Sequence, residues 1–233
     1  WDQQKVKSYG APDMSTEAQK AAVAHALDIE MAIVGLGRDA NGRISIMKDY
    51  IQRTDAVPGE MAGIFHYLAL GQNTYTPAAT HGVMGNILTF DANKDGTGAA
   101  TALDMTKLKT LLRHVWVNGT MAKDIFLGSA LKDKVDDLVS RQWKGEKSVT
   151  NNVTDIDTAY GTVSFHLHRF FNEDNNLEDA LLAGNFDYAK LGELESRLET
   201  MAKVDTSDKK MYYTSCTLEV RNAFAFAAAF GLK

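Results

Sequence analysis

The amino-acid sequence predicts an α+β fold, because helical and strand-like segments follow one another without the regular alternation of a parallel βα sheet. Three observations support this prediction. A long helical segment lies near the start, a helix–strand–helix unit occupies residues 104–142, and strand-like runs follow it. Alternation at period two indicates half-buried strands, whereas apolar residues at three- and four-residue spacing indicate helices.

The first helix is predicted over residues 15–35, within the stretch APDMSTEAQKAAVAHALDIEMAIVG. Asp13 or Ser15 can cap its beginning, and residues that favour helices dominate its interior. Gly35 and Gly37 stop it. About 20 residues at 1.5 Å each would form a rod of about 30 Å.

Residues 38–100 carry weaker patterns. RDANGR is typical of a polar turn, residues 61–70 are apolar, and GQNTYTPAATHG is typical of a loop.

A helix–strand–helix unit is predicted next. DMTKLKTLLRHVWVNG carries the apolar stripe of an amphipathic helix, which ends at Asn118 and consists of Leu108, Leu111, Leu112, Val115 and Trp116. DIFLG is then predicted to be a short buried strand. SALKDKVDDLVSRQW is a second helix, capped by Ser129, whose inward residues are Leu131, Val135 and Leu138.

Two further strands are predicted in the second half of the chain. GTVSFHLHRFF alternates between two faces, which carry Val163, Phe165 and Leu167 on one side and Ser164, His166 and His168 on the other. DALLAGN is a shorter strand.

The closing run, TLEVRNAFAFAAAFGLK, is predicted to be one strand with two unlike faces. The bulky face carries Leu218, Val220, Phe224, Phe226 and Phe230. The other face begins with Thr217, Glu219 and Arg221 and continues with Ala223, Ala225, Ala227 and Ala229. A face of methyl groups suits a sheet packed closely against another layer, so this run is core or interface.

Composition argues against several classes of function. The 233 residues include 25 Lys and Arg against 30 Asp and Glu, a net charge of −5, with no basic stripe for nucleic-acid binding. The single cysteine, Cys216, allows no internal disulfide, which favours a reducing compartment.

No run reaches the roughly 20 apolar residues of a membrane span. The start lacks an initiator methionine and a signal peptide, so we expect that an N-terminal part is cleaved, deleted or disordered.

One segment, DANKDGTG, matches the opening of a calcium loop, with Asp91, Asn93 and Asp95 at positions 1, 3 and 5 and Gly96 at position 6. The twelfth position requires a bidentate Glu, but Ala102 stands there, so calcium affinity should collapse. A plain turn of Asn, Asp and Gly residues is the expected structure.

The other candidate sites lack essential parts. His166 and His168 share a strand face, but no Cys or acidic partner completes a metal site. GLGRDANG follows a helix, unlike a dinucleotide-binding loop. Cys216 lies in an apolar strand, where an inert thiol is expected, and Asn118 begins a glycosylation sequon in form only. No catalytic, cofactor-binding or metal-binding residue is assigned, which favours a structural role over an enzyme.

Four segments, in this order, resemble those of a known family. VKSYGAPDMSTEAQKAAVAHALDIEMAIVG resembles a strand ending in Tyr-Gly that leads into a long helix carrying Asp-x-Glu, here Tyr9, Gly10, Asp28 and Glu30. MTKLKTLLRHVWVNGTMAKDIFLGSALKDKVDDL resembles the helix, Trp-x-Asn-Gly turn, strand and helix that follow. GTVSFHLHRF resembles the next strand, which ends in Arg, and YTSCTLEVRNAFAFAAAFGL resembles the terminal strand. Together they are similar to the major capsid (major head) proteins of tailed bacteriophages and prophages.

The resemblance implies a Hong Kong 97-type capsid fold. Residues 1–14 would be a remnant of the extended loop, and residues 15–103 a peripheral domain that includes the spine helix at 15–35. Residues 104–200 would form the axial domain, and residues 201–233 the returning C-terminal strands. The N-terminal arm and most of the extended loop would be missing from this chain.

The resemblance also implies a structural protein that assembles with itself, as hexamers and pentamers, into an icosahedral head around double-stranded DNA. Scaffold, portal and decoration proteins are expected partners, with weak non-specific DNA contact and no membrane. Assembly would occur in the bacterial host cytoplasm, and the product would be the virion capsid. Two alternatives stay open: an encapsulin-like nanocompartment shell that encloses an enzyme, and an unrelated α+β enzyme without a recognisable site.

Overall fold

The computed structural model describes residues 13–35, 37–38, 44–45, 50–56, 59–69, 82–84, 86–93, 98–118, 120–142, 153–175, 177–201 and 210–233. The helices in these ranges are α1 (Asp13–Val34), α2 (Ile64–Ala69), α3 (Met105–Val117) and α4 (Ser129–Gln142). The first strands are β1 (Gly37–Arg38), β2 (Ile44–Ser45), β3 (Gly82–Met84), β4 (Ile87–Thr89) and β5 (Asp124–Leu127). The later strands are β6 (Asp155–Thr158), β7 (Gly161–Leu167), β8 (Leu181–Gly184), β9 (Ala189–Thr200), β10 (Lys210–Val220) and β11 (Phe226–Phe230). The mixture of helices and strands confirms the α+β prediction.

Helix α1 agrees with the predicted first helix to within two residues at either end. Gly35 ends it in the left-handed region, with φ of 92°, while its N–H donates to the carbonyl of Met31. The backbone of Gly63 passes so close that a Cβ there would lie 1.9 Å from the Cα of Gly35. Two glycines therefore bring the end of α1 against the start of α2.

Seven strands form a mixed sheet in the order β3-β4-β11-β8-β5-β7-β6. β11 pairs in parallel with β4, β5 pairs in parallel with β7, and the other neighbours are antiparallel. β11, from the end of the chain, is therefore a central strand. The predicted short strands DIFLG and DALLAGN correspond to β5 and β8, which are directly paired.

The two faces of β11 belong to two different hydrophobic clusters. Ala227 and Ala229 lie in a cluster with the leucines of α3, because methyl side chains let the helix approach the sheet closely. Phe226 and Ala228 lie in the other cluster, which includes Phe65 of α2. The prediction of a second layer close against the alanine face is confirmed for this part of the closing run, and that layer is a helix.

The closing run is not the single strand that its alternation predicts. β10 belongs to a two-stranded ribbon and β11 to the seven-stranded sheet, and a 3-10 turn, Ala223–Ala225, separates them. Asn222 caps this turn by accepting the N–H of Phe224, so a local side-chain hydrogen bond replaces continued strand pairing. Phe224 is consequently 41% exposed and does not join the bulky face.

Three other predictions of detail are wrong. Trp116 is half exposed at the edge of the α3 stripe, where its ring packs against Tyr160. Leu167 ends β7 and is exposed, because the core reaches only Val163 and Phe165. Ser129 is the first residue of α4 rather than its cap, since the carbonyl before it already accepts the N–H of Lys132.

Some predictions lie outside the described residues. These are the strand ending at Tyr9 and Gly10, the interior of the RDANGR turn, and most of the GQNTYTPAATHG loop.

Candidate functional site

The ribbon formed by β9 and β10 carries large apolar side chains on its surface. The exposed residues include Leu191, Leu194, Leu198, Met211 and Tyr213. Leu194 is 87% exposed, more than any other large apolar side chain in the described residues. Leu191 and Leu198 share one face of the ribbon, and Met211 and Tyr213 lie on the opposite face. Exposed apolar groups can mark surfaces where proteins associate.

A β-bulge places Leu194 in this position. Glu195 pairs with Ser215 and Glu193 pairs with Cys216, so Leu194 is the extra residue between two consecutive pairs. A bulge leaves its extra residue unpaired and changes the direction of the side chain. Within the described residues each ribbon strand pairs only with the other, so no third strand pairs with the backbone of their outer edges.

Helix α1 lies against the ribbon through a few polar contacts. His25 hydrogen-bonds Thr214 at 2.8 Å and its ring stacks on Tyr212, whose hydroxyl donates to the carbonyl of Ala18. These contacts cover little of the helix. Of its side chains that the structure describes, only Val34 is buried.

The uncovered side of α1 includes an apolar groove of about 410 Å³. Its lining residues are Thr16, Gln19, Lys20, Val23, Ala24 and Leu27. Val23 is 61% exposed, although isolated subunits usually bury the apolar residues of a long helix. The helix and the ribbon together therefore present apolar surface that the described part of this chain leaves open.

A cleft of about 750 Å³ lies between α1, residues 50–56 and 59–61, and β10. Cys216 contributes to its wall, together with three acidic residues and Arg53. Burial, with a smaller contribution from Glu193, raises the pKa of the Cys216 thiol. A thiol with a raised pKa stays protonated at neutral pH, so this side chain is poorly suited to nucleophilic chemistry.

His166 and His168 contact different acidic residues. Nε2 of His166 lies 2.9 Å from Asp124, whereas Nε2 of His168 lies 3.0 Å from Glu30 of α1. Burial lowers the pKa of His168, and Glu30 opposes this effect. His168 therefore joins the end of β7 to helix α1, which is a structural contact.

The calcium-like segment has one buried carboxylate. Asp91 is buried, and its Oδ2 accepts the N–H of Gly98 at 2.6 Å. Asp95 and Gly96 lie outside the described residues. The carbonyl of Ala102 accepts a hydrogen bond from Lys107. In the described ranges no three His, Cys, Asp or Glu side chains form a group that could hold a metal ion.

The glycines of GLGRDANG that the structure describes, and Asn118 of the sequon, lie at the ends of helices and strands. Gly35 follows the last residue of α1, and Gly37 is the first residue of β1. Asn118 caps the end of α3. Among the described helices, none has the length and apolar character needed to cross a membrane.

Strand β9, and therefore the ribbon, was not predicted from the sequence. AKLGELESRLET is rich in Leu and Glu, which favour helices, and the bulge at Leu194 breaks the period-two alternation. The apolar alternation of the pairing strand, in MYYTSCTLEV, was the available signal.

The family model described as SU10 major capsid protein matches residues 2–233. Among solved structures, a chain described as "Mycobacterium phage Ogopogo" is similar with a TM-score of 0.35 and 11% sequence identity, over 70% of this chain and 61% of that chain. This chain thus spans less than two thirds of the other chain's length. No curated protein matches the sequence.

Proposed function

The chain belongs to the SU10 major capsid protein family and is a structural capsid protein, and we propose that it builds an icosahedral phage head by assembling with copies of itself. The observation that carries this proposal is the family match, which covers residues 2–233. The apolar surface of α1 and the ribbon agrees with it, because a shell subunit must leave such surface open for its neighbours.

The mechanism that we propose is repeated heterologous contact. Each subunit would bind a different surface of the next one, and such contacts close into rings and then into a shell of hexamers and pentamers. Obligate interfaces of this kind usually bury more than about 2,000 Å². The exposed leucines of the ribbon and the groove on α1 supply apolar area of the required type.

Loose contact with DNA is part of the proposal. The net charge of the chain is −5. Negative charge repels phosphate, so base reading and tight binding are unfavourable. The protein would enclose double-stranded DNA without recognising its sequence, and it would have no enzymatic activity.

The domain division stays a prediction, with a peripheral domain at 15–103, an axial domain at 104–200 and returning strands at 201–233. Scaffold, portal and decoration proteins would be partners during assembly in the host cytoplasm. The assembled product would be the capsid of the virion.

The ribbon can be tested with two matched leucine substitutions. Leu194→Ser removes the most exposed leucine of the ribbon, and Leu167→Ser removes an exposed leucine of the seven-stranded sheet. Burying a leucine contributes about 1.5–3 kcal/mol. Leu194→Ser should therefore weaken each contact about 10- to 150-fold, whereas Leu167→Ser should assemble as the unaltered protein does.

Light scattering and negative-stain microscopy of the complete protein measure this assembly. Circular dichroism should show that both variants fold normally, because exposed substitutions usually change stability by less than about 0.5 kcal/mol. Normal assembly of Leu194→Ser would exclude Leu194 from the interface. An unaltered protein that stays monomeric at high concentration while turning over a metabolite would refute the shell function, and particles loaded with an enzyme would indicate a nanocompartment.

A further inference from the structure

A buried carboxylate oxygen without a partner lies beside the end of the chain. Asp91 is only 4% exposed, and its Oδ2 accepts the N–H of Gly98. Its Oδ1 is buried and makes no hydrogen bond within the described structure. Burying a charged oxygen without a partner is costly, so an unsatisfied group of this kind requires an explanation.

A second carboxylate, Asp179, lies on the other side of Gly231. The N–H of Gly231 donates to Oδ2 of Asp179 at 3.0 Å. On its other side, Gly231 approaches Asp91 so closely that a Cβ would lie 2.8 Å from the Cβ of Asp91. Gly231 can make both contacts because it has no side chain and takes a φ of 75°.

The two carboxylates interact electrostatically. Burial raises the pKa of Asp179, the N–H of Gly231 opposes this, and the charge of Asp91 raises it further. Asp91 is the only charged residue that shifts this pKa within the described part of the chain. Within the described residues, therefore, neither of these two acidic groups has a positively charged partner.

We propose that Asp91 and Asp179 bind one hard divalent cation, Ca²⁺ or Mg²⁺, with water completing its coordination. Both ions prefer carboxylate oxygens, and Mg²⁺ commonly keeps several waters while one or two carboxylates hold it. The sequence of the loop after Asp91 resembles the opening of a calcium site but lacks the acidic residue at its twelfth position, Ala102. The fold supplies an acidic residue from elsewhere, at Asp179.

The position of this site suggests what it does. The N–H of Phe90 donates to the carbonyl of Phe230, and that of Thr101 donates to the carbonyl of Gly231. The residues around Asp91 therefore hold the C-terminal end of the sheet. A bound cation would join this end to the segment that carries Asp179, and it would stabilise the folded subunit.

The test is thermal unfolding of the EDTA-treated, dialysed protein at pH 7.5, with CaCl₂ or MgCl₂ titrated into it. A ligand present at 100 times its Kd should raise Tm by about 5–10 °C for a chain of this size. Isothermal titration calorimetry with each salt measures binding directly. Asp91→Asn and Asp179→Asn should each lose the shift, whereas Glu178→Gln, at an exposed neighbouring position, should keep it.

The Asp179→Asn variant keeps the test decisive if Asp91→Asn does not fold, because Asp179 is only half-buried. A Tm and a calorimetric signal that neither salt changes would overturn the proposal. A cation response that persists in Asp179→Asn would also overturn it. Stabilisation on lowering the pH to 5.5, without any response to divalent cations, would show that protonation of Asp179, whose pKa is raised, relieves the repulsion instead. Since this readout is subunit stability, its failure leaves the shell function untouched.

Discussion

Replacing Gly184 with alanine should destabilise the fold through a single contact with Phe226. Gly184 ends β8 and is paired with Phe226 on β11. A Cβ on Gly184 would lie 2.2 Å from Cδ1 of Phe226, whereas carbon atoms in contact normally lie about 3.5–4.0 Å apart. The ring cannot easily move away, because it is fully buried and packs edge-on against Phe186 with centroids 5.1 Å apart.

The size and sign of this effect follow from the contact. Overpacking a core typically lowers the free energy of unfolding by about 1–3 kcal/mol. Gly184 is not among the glycines with positive φ, so alanine adds no backbone strain. In a Phe226→Ala background the ring is gone and the new methyl group enters free space. There the same change should raise the free energy of unfolding by about 0.4–1 kcal/mol, because alanine restricts the unfolded chain.

Urea unfolding followed by far-UV circular dichroism measures the four proteins of this double-mutant cycle. Phe226→Ala alone should cost about 3–5 kcal/mol, within the roughly 5–15 kcal/mol available to a folded protein. Gly192→Ala in β9 is the matched control, since its Cβ would lie 3.5 Å from Thr217, an ordinary contact. An equal loss from Gly184→Ala in both backgrounds would refute the steric explanation.

Three other predictions concern single contacts. Asp104→Ala removes the side chain that caps α3 and should lower the free energy of unfolding by about 1 kcal/mol, measured by urea titration, with Asp104→Asn as the conservative control. Burial lowers the pKa of His168 despite the opposing charge of Glu30. The stability that His168 contributes should therefore be complete above its unfolded pKa of about 6.5. It should decline as the pH falls from there through the lower pKa of the folded state. His168→Gln should flatten this part of the curve of Tm against pH. Lys132→Met should cost about 3–5 kcal/mol, because it leaves the largely buried carboxylate of Asp136 without a positively charged partner and with only the N–H of Val153. A Lys132→Met, Asp136→Leu protein with no recovery of Tm would contradict this reason.

The local patterns of the sequence were sufficient for most elements of the fold. Helix α3 was predictable because Leu108, Leu111, Leu112 and Val115 recur at the helical period and are all buried. Ala227 and Ala229 were predicted to face a close layer, because methyl groups alternate with larger side chains there. Such patterns depend on the geometry of one segment, which neighbouring residues determine. The four family-like segments likewise indicated the capsid family, because their order along the chain is a property of the sequence alone.

Only the tertiary structure decided which segments meet. The closing run divides between two sheets at Asn222, and the bulge that exposes Leu194 exists only because β9 and β10 pair out of register between Ser215 and Cys216. Asp179 reaches the region of Asp91 through Gly231, although the three residues are far apart in sequence. Strand pairing, side-chain exposure and contacts between distant residues depend on long-range packing and on the competition between alternative partners. The period of a single segment carries no information about either, so the surface proposed for assembly and the proposed cation site emerged only from the fold.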